Sequence, residues 1–423
     1  MEEKFIIKGG RPLKGEVEVR GAKNAAFPVL AAALLTKDTC VIDNIPLIED
    51  VFKMLEILKE IGVEVNWTGK RKIEINSSKI KQSKISTGLV RKFRGSVLLI
   101  GALLTRFDSV KIPSPGGCLI GSRPINTHLD AFSQAGIKIS SENDFYCFQR
   151  PKKNKALEII LNEISVTTTE NILLFAAANP KKTTIKIADQ DYQVQDLIKV
   201  LEKMGAEIKI TGIRQIEITG RKKLKGFSHN LIFDPIEAGT FIAAALATKG
   251  EVVVKNAELE FLSLFLKRLK DFGAKFKILN PKTVKVLPSG NLKMDKIQSL
   301  PYPGIHSDLQ PELGVLATQT KGPTLIHDPL FEGRLKYLED LNKMGADIIF
   351  CDPHRAIIYG RNQLEGIEMP SSDLRAGAAM IIAGLIAKGK TTINNVYQID
   401  RGYEKIEERL ILLGADIKRR IKT

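Results

Sequence analysis

Residues 54–65 read MLEILKEIGVEV, an amphipathic helix closed by Gly62 and followed at once by an alternating strand. The same pattern returns at 128–139 (HLDAFSQAGIKI), 197–208 (LIKVLEKMGAEI), 264–276 (LFLKRLKDFGAKF), 336–348 (KYLEDLNKMGADI) and 405–417 (KIEERLILLGADI). Its closing glycines, Gly62, Gly136, Gly205, Gly273, Gly345 and Gly414, stand 74, 69, 68, 72 and 69 residues apart. A period of about 70 residues is too long for a solenoid repeat and fits a small α/β unit. Glycine suits the closing position because helices commonly end in a left-handed residue, a conformation that strains any side chain.

Each unit also carries an earlier helix rich in small residues, then a turn and a β-branched strand, as in SVLLIGALLTRFDSVKI from Ser96, TFIAAALATKGEVVVKNA from Thr240 and AAMIIAGLIAKGKTTINNV from Ala378. A helix apolar around most of its circumference is a buried one, whereas MLEILKEIG is apolar on one stripe and should face water on the other. Each unit therefore supplies an inner helix, an outer helix and several strands. Three units can close around their inner helices with sheets outside, which predicts two similar domains with a ligand cleft between them. The boundary falls around Phe227 to Asp234, and the opening strand, EKFIIKG with PLKGEVEV, lacks a helix of its own.

Composition narrows the function. The chain has 423 residues, 43% hydrophobic and 26% charged, which suits a soluble globular protein. Apolar runs such as Ala25 to Leu35 fall short of the roughly 18 residues that span a bilayer. The start, MEEKFIIKGGRP, has neither the cations nor the apolar core of a secretory signal, so the expected location is the cytoplasm. Cys40, Cys118, Cys147 and Cys351 form no CxxC pair, and the five histidines form no HExxH pattern, so no metal and no cofactor are expected. CDPH at Cys351 to His354 reads as a polar turn. A net charge of +16 points to anionic ligands or simply to a lysine-rich surface; with aromatics at 6% and no aromatic-interleaved basic stretch, nucleic acid is not expected.

Four segments carry chemistry. GAKNAAFPVL from Gly21 puts Lys23 where an Ala-rich helix begins, and helix starts favour anions; the plain alternative is a solvated lysine beside a turn. PSPGGCLIGSRPINTH (113–128) is a shaped loop; Ser122 and Arg123 stand where a nucleotide-triphosphate loop needs Lys then Ser or Thr. Cys118 there is either a thiol activated by nearby cations or an inert buried cysteine. PYPGIHSDLQPE (301–312) offers Asp308, whose ordinary role would be capping a helix and whose alternative is general base. YQIDRGYEKIEERL sets Arg401 ahead of the last helix, an electrostatically misplaced arginine unless an anion is bound.

GAKNAA, PGGCLIGSRPINTH, PYPGIHSDLQ, SSDLRAGAA and DRGYE, in this order over six repeats, resemble the enolpyruvyl transferases along essentially the whole chain. The resemblance implies an α/β fold of two inside-out α/β barrel domains, each of three βαβαββ repeats. One domain would run over 23–232 with the cysteine loop, the other over 1–22 plus 233–423 with Asp308 and Arg401. It implies a monomer that transfers the enolpyruvyl group of phosphoenolpyruvate to the 3′-hydroxyl of UDP-N-acetylglucosamine, releasing phosphate. Lys23, Arg123 and Arg401 would hold phosphoenolpyruvate, Cys118 would protonate its methylene carbon and be the residue fosfomycin alkylates, and Asp308 would be the base for the sugar hydroxyl. Asn24, Arg94, Leu330, Arg334 and Arg375 would line the substrates, with Pro124, Ile125, Asn126, Thr127, His128, Ser165, Val166 and Thr167 on the nucleotide side.

Three departures from the family pattern bear on the acceptor. RPINTH replaces RPVDLH, SVTTTEN replaces SVGATEN with Thr167 and Thr168 in place of smaller residues, and FDPIEAGT from Phe233 loses an arginine. A related transferase acting on another nucleotide or on a shikimate-type acceptor is therefore one alternative. A non-catalytic relic binding anions or nucleic acid is the other.

Overall fold

The computed structural model describes residues 3–81, 87–114 and 124–421. These residues divide into two compact units, one of 3–20 with 233–421 and one drawn from 21–232. All six closing glycines have left-handed backbone, with φ between 83° and 107°. Each ends an amphipathic helix, as the pattern requires.

Among the described residues the strands form six open sheets, three in each unit. One plan recurs. The strand after the inner helix pairs antiparallel with the third strand of its repeat, which pairs in turn with the second, and in five of the six sheets another strand adds on the other side in parallel; among the described residues the sheet of Ser109–Pro113 has three strands. Thus Cys40–Asp43 lies between Lys72–Asn76 and the parallel Ser228–Asn230, with Glu64–Gly69 at the far edge. Glu251–Lys255 takes Lys14–Glu18 as its parallel neighbour. In the sixth repeat the third strand comes from the other end of the chain: Glu3–Lys8 sits between Lys390–Asn394 and Asp416–Ile421, antiparallel to both. The α/β class and the repeat plan are as expected, with the refinement that no sheet closes on itself.

The inner helices make the cores. Pro235–Ala247, Gln310–Ala317 and Leu374–Ile386 pack on one another and are buried over almost their whole length. Lys23–Ala32, Leu99–Leu104 and Val166–Ala176 do the same in the other unit. The outer helix Glu49–Glu60 buries Val51, Met54, Leu55, Ile57 and Leu58 along one stripe. Each large aliphatic side chain so buried stabilises the unit by about 1.5–3 kcal/mol against exposure.

The residue after the first strand of a repeat turns left-handed at Asn44, Asn256 and Asn395, with φ of 59°, 58° and 55°. Asparagine tolerates this conformation through local hydrogen bonding. The same place in the third repeat holds Ile187 at φ 60°, where a β-branched side chain is strained. CDPH is indeed the tight turn of a hairpin, joining Asp347–Asp352 to Arg355–Gly360.

Candidate active site

The candidates cluster at the N-terminal ends of the inner helices. In the unit of 233–421, Asp234 caps Pro235–Ala247 by accepting from the backbone N–H of Ile236 and Glu237, and Asp373 caps Leu374–Ile386 through Arg375 and Ala376. Arg375 has Asp234, Asp308 and Glu312 as charged neighbours, so the three helix starts converge on its guanidinium. Three aligned helix starts make an electropositive pole.

Asp308 occupies that pole, but not as a cap. The His306 ring Nδ1 accepts the Asp308 backbone N–H at 3.0 Å, so His306 caps this turn. Arg334 Nη2 donates to one carboxylate oxygen at 2.8 Å and Arg375 Nε to the other at 3.0 Å. Both arginines are buried. Burial opposes the charge of Arg334, yet the carboxylates of Asp308, Asp373 and Asp328 outweigh it and hold its pKa above the ordinary arginine value. Its Nε donates to Ser307 Oγ at 3.0 Å, and Ser307 donates to Asp328 at 2.6 Å. Asp328 also accepts the backbone N–H of Leu330, whose side chain is exposed.

Arg401 corrects the sequence reading. It closes the single turn Tyr397–Asp400 rather than opening the last helix, which begins at Ile406 after Lys405 adopts left-handed backbone. A cation at a helix end is electrostatically suited, so the placement alone gives no argument for an anion. The side chain is buried, with Nη1 donating to Gln398 at 3.0 Å. The turn packs against the start of Leu374–Ile386: a Cβ on Gly402 would lie 2.4 Å from Leu374 and one on Gly377 2.5 Å from Ile399.

In the unit of 21–232, Lys23 is the first residue of its helix, as read. It is only 8% exposed, which rules out the solvated lysine, and its ammonium meets Asp50 at 3.0 Å. Gly21 makes this possible: a Cβ there would fall 1.8 Å from the Asn44 carbonyl oxygen. The next N–H, of Ala22, is pinned to the Ile232 carbonyl at 2.8 Å. Asn24 beside it is half-buried.

Arg94 opens another helix start and donates to the exposed Pro124 carbonyl at 3.2 Å. Ile125 is buried, and Asn126 is exposed at the head of Asn126–Gln134. Thr127 donates to Glu163 at 2.9 Å. His128 is buried between two helices. Its Nδ1 faces the Asn171 amide nitrogen at 3.1 Å and its Nε2 the Thr167 hydroxyl at 3.1 Å. Because an amide nitrogen can only donate, Nδ1 accepts and the single ring proton sits on Nε2. Burial, with the charge of Arg94 adding to it, pushes this histidine down to about 3. Ser165 caps Val166–Ala176 by accepting from the Thr168 N–H and pairs with the Thr168 hydroxyl at 2.9 Å; Val166 and Thr167 are half-buried and Thr168 is buried. Cys118 and Arg123 lie outside the described residues, as does most of the loop that carries them. Among the described residues, no group of three or more His, Cys, Asp or Glu could hold a metal ion.

A family model for EPSP synthase (3-phosphoshikimate 1-carboxyvinyltransferase) matches residues 7–410. The chain belongs to this family of enolpyruvyl transferases. UDP-N-acetylglucosamine 1-carboxyvinyltransferase 1 of Caldanaerobacter subterraneus subsp. tengcongensis is 40% identical over 423 residues, covering 99% of this chain and 100% of its own. The enzyme named UDP-N-acetylglucosamine 1-carboxyvinyltransferase in Koribacter versatilis is 38% identical over 420 residues, covering 99% and 96%. In fold, the crystal structure of the enolpyruvyl transferase NikO from Streptomyces tendae matches with a TM-score of 0.89 at 24% identity over 99% of both chains. EPSP synthase from Acinetobacter baumannii matches with a TM-score of 0.79 at 19% identity over the whole of both.

Sequence reasoning missed Asp50, which holds Lys23, and Asn171, which orients His128 while bonding the Val97 carbonyl and the Gly101 N–H. It also missed Glu312, and here a signal existed. Glu170, Glu237 and Glu312 are each an acid near the start of an otherwise apolar inner helix, and a charge there needs a reason.

Proposed function

We propose that this enolpyruvyl transferase moves the enolpyruvyl group of phosphoenolpyruvate to the 3′-hydroxyl of UDP-N-acetylglucosamine and releases phosphate. Identity of 38–40% over 99% of the chain to transferases named for that acceptor carries the reading. Lys23, Arg123 and Arg401 hold the donor, whose phosphate gathers charge as the addition and elimination proceed; fixed cations answer that charge without reorganising. Asp308 is the base. Two guanidiniums hold its two oxygens and keep it fixed in direction, as a proton acceptor must be to reach a hydroxyl at about 3 Å. Cys118 protonates the methylene carbon and is the target of fosfomycin. Arg94, Arg334, Arg375, Leu330 and Asn24 line the substrates, and 124–128 with Ser165 to Thr167 meet the nucleotide. The setting is peptidoglycan precursor synthesis in the cytoplasm, by a monomer without a cofactor.

Phosphate release from phosphoenolpyruvate tests this directly, with UDP-N-acetylglucosamine, UMP and shikimate 3-phosphate as rival acceptors. The expected result is release with the first alone; turnover confined to either of the others would transfer the reading to that acceptor. Cys118→Asp should keep turnover and escape fosfomycin, and continued alkylation of that variant would remove the thiol from its assigned part.

A further inference from the structure

Glu312 has no solvent exposure, lies in the middle of the inner-helix packing, and takes no part in the reaction as described. Its Oε1 accepts from Thr240 Oγ1 at 3.0 Å and from the Tyr403 hydroxyl at 3.3 Å, and these two hydroxyls are 2.8 Å apart. Its Oε2 has no hydrogen-bond partner among the described residues. The Tyr403 ring lies 5.1 Å from the Arg375 guanidinium, and Arg375 Nε holds Asp308 at 3.0 Å. A continuous line of contacts thus runs from an acid with no assigned role to the carboxylate read as the base.

The charged and titratable groups facing Glu312 are few. Arg375 attracts it, Asp308 repels it, and Tyr403 and Tyr337 are the titratable neighbours. Burial, against these attractions, pushes the Glu312 carboxyl up to about 7. Thr240 has one proton and three neighbours, since the Ile236 carbonyl lies 3.0 Å from the same hydroxyl. An ionised Glu312 can draw the protons of both Thr240 and Tyr403; a neutral one releases Thr240 to the Ile236 carbonyl.

We infer that Glu312 is a positioning residue that decides how fully the charge of Arg375 is committed to Asp308. The inference rests on the reading of Asp308 as base. With Glu312 neutral, Arg375 faces only Asp308 and the capping Asp234 of these acids, and the Asp308 carboxylate gives up little of its charge to a proton. With Glu312 ionised, that guanidinium answers one more carboxylate, and Asp308 takes the acceptor hydroxyl's proton more readily. Activity should therefore rise as pH climbs through neutrality.

The test is the pH profile of kcat and kcat/KM in Glu312→Gln, which keeps the shape and loses the titration. The parent should show an inflection near 7. The variant should match the parent on the acid side, lack that inflection, and fall about tenfold below the parent in kcat on the alkaline side with KM for phosphoenolpyruvate unchanged, tenfold being one unit of coupling. Tyr403→Phe removes a donor to the ionised carboxylate and should move the same inflection to higher pH, which keeps the question open to test where one variant folds poorly. Profiles of both variants that superimpose on the parent's would overturn the inference. Asp308→Asn separates the two readings: turnover should be nearly abolished, and parent-like turnover there would remove Asp308 as base whatever Glu312 does.

Discussion

At the inner-helix starts of residues 233–421, charge is answered by charge: Asp308 lies between Arg334 and Arg375, and Asp234 and Asp373 cap the flanking helices. At those of residues 21–232 most buried polar groups are neutral. Ser165 caps, Asn171 spans two helices, His128 is an uncharged imidazole, and burial with repulsion from Asp189 and Asp191 pushes the Glu170 carboxyl well above its ordinary value. Lys23 with Asp50 is a buried ion pair among them, and Asp189 and Asp191 are buried acids. The difference is one of risk. An ion cluster tolerates little, because removing one member leaves a buried charge unanswered, whereas a hydrogen-bonded cluster loses only what each bond was worth.

Arg334→Met should expose the first kind of fragility most strongly, lowering stability by about 3–5 kcal/mol in denaturant melts. A loss below that of any neutral-cluster variant would dissolve the contrast. Lys23→Ala tests whether the Lys23–Asp50 pair serves the donor: kcat/KM should drop by about 10²–10³, and a variant within twofold of the parent would leave Lys23 merely structural. Asn171→Ala should cost about 1–3 kcal/mol, since it takes away the acceptor of the Gly101 N–H and a donor to the Val97 carbonyl in the core.

The neutral cluster also predicts a pH response. A histidine whose folded pKa is depressed leaves stability intact above the unfolded value near 6.5 and erodes it as pH falls from there toward about 3. Comparing acid melts of the parent and His128→Gln isolates this share; identical slopes over that window would mean the ring is not held neutral. The smallest effect has the opposite sign. Ile187→Asn should raise stability by about 1 kcal/mol, the cost of left-handed backbone for a residue with a branched Cβ. A loss instead would mean the isoleucine side chain has a packing role there.

The fold was legible because its punctuation is local. A helix end that needs left-handed backbone selects glycine wherever it falls, so Gly62 and its five counterparts announce the repeat with no knowledge of what packs around them. Lys23 at a helix start was legible for the same reason. What the residues alone hid is partnership across long stretches of chain. Nothing near Asp308 in sequence says that Arg375, 67 positions on, will hold it, or that His306 will take over the capping that an aspartate there usually performs. Arg401 was misplaced because the short turn Tyr397–Asp400 has too few residues to show a period. Arg419 went unread for a similar reason: it gathers Glu3, Asp400 and Glu407 from three parts of the chain.

That last cluster ties down Glu3–Lys8, the strand inserted into the sixth sheet. Domains generally fold as units while the polypeptide leaves the ribosome. Residues 21–232 can complete their own packing as soon as they have emerged. Glu3–Lys8 has to wait, unpaired, until translation has delivered Lys390–Asn394 and Asp416–Ile421. The unit that carries Asp308 is thus begun before residues 21–232 and finished after them, and its nascent strand is the segment most in need of shelter during synthesis.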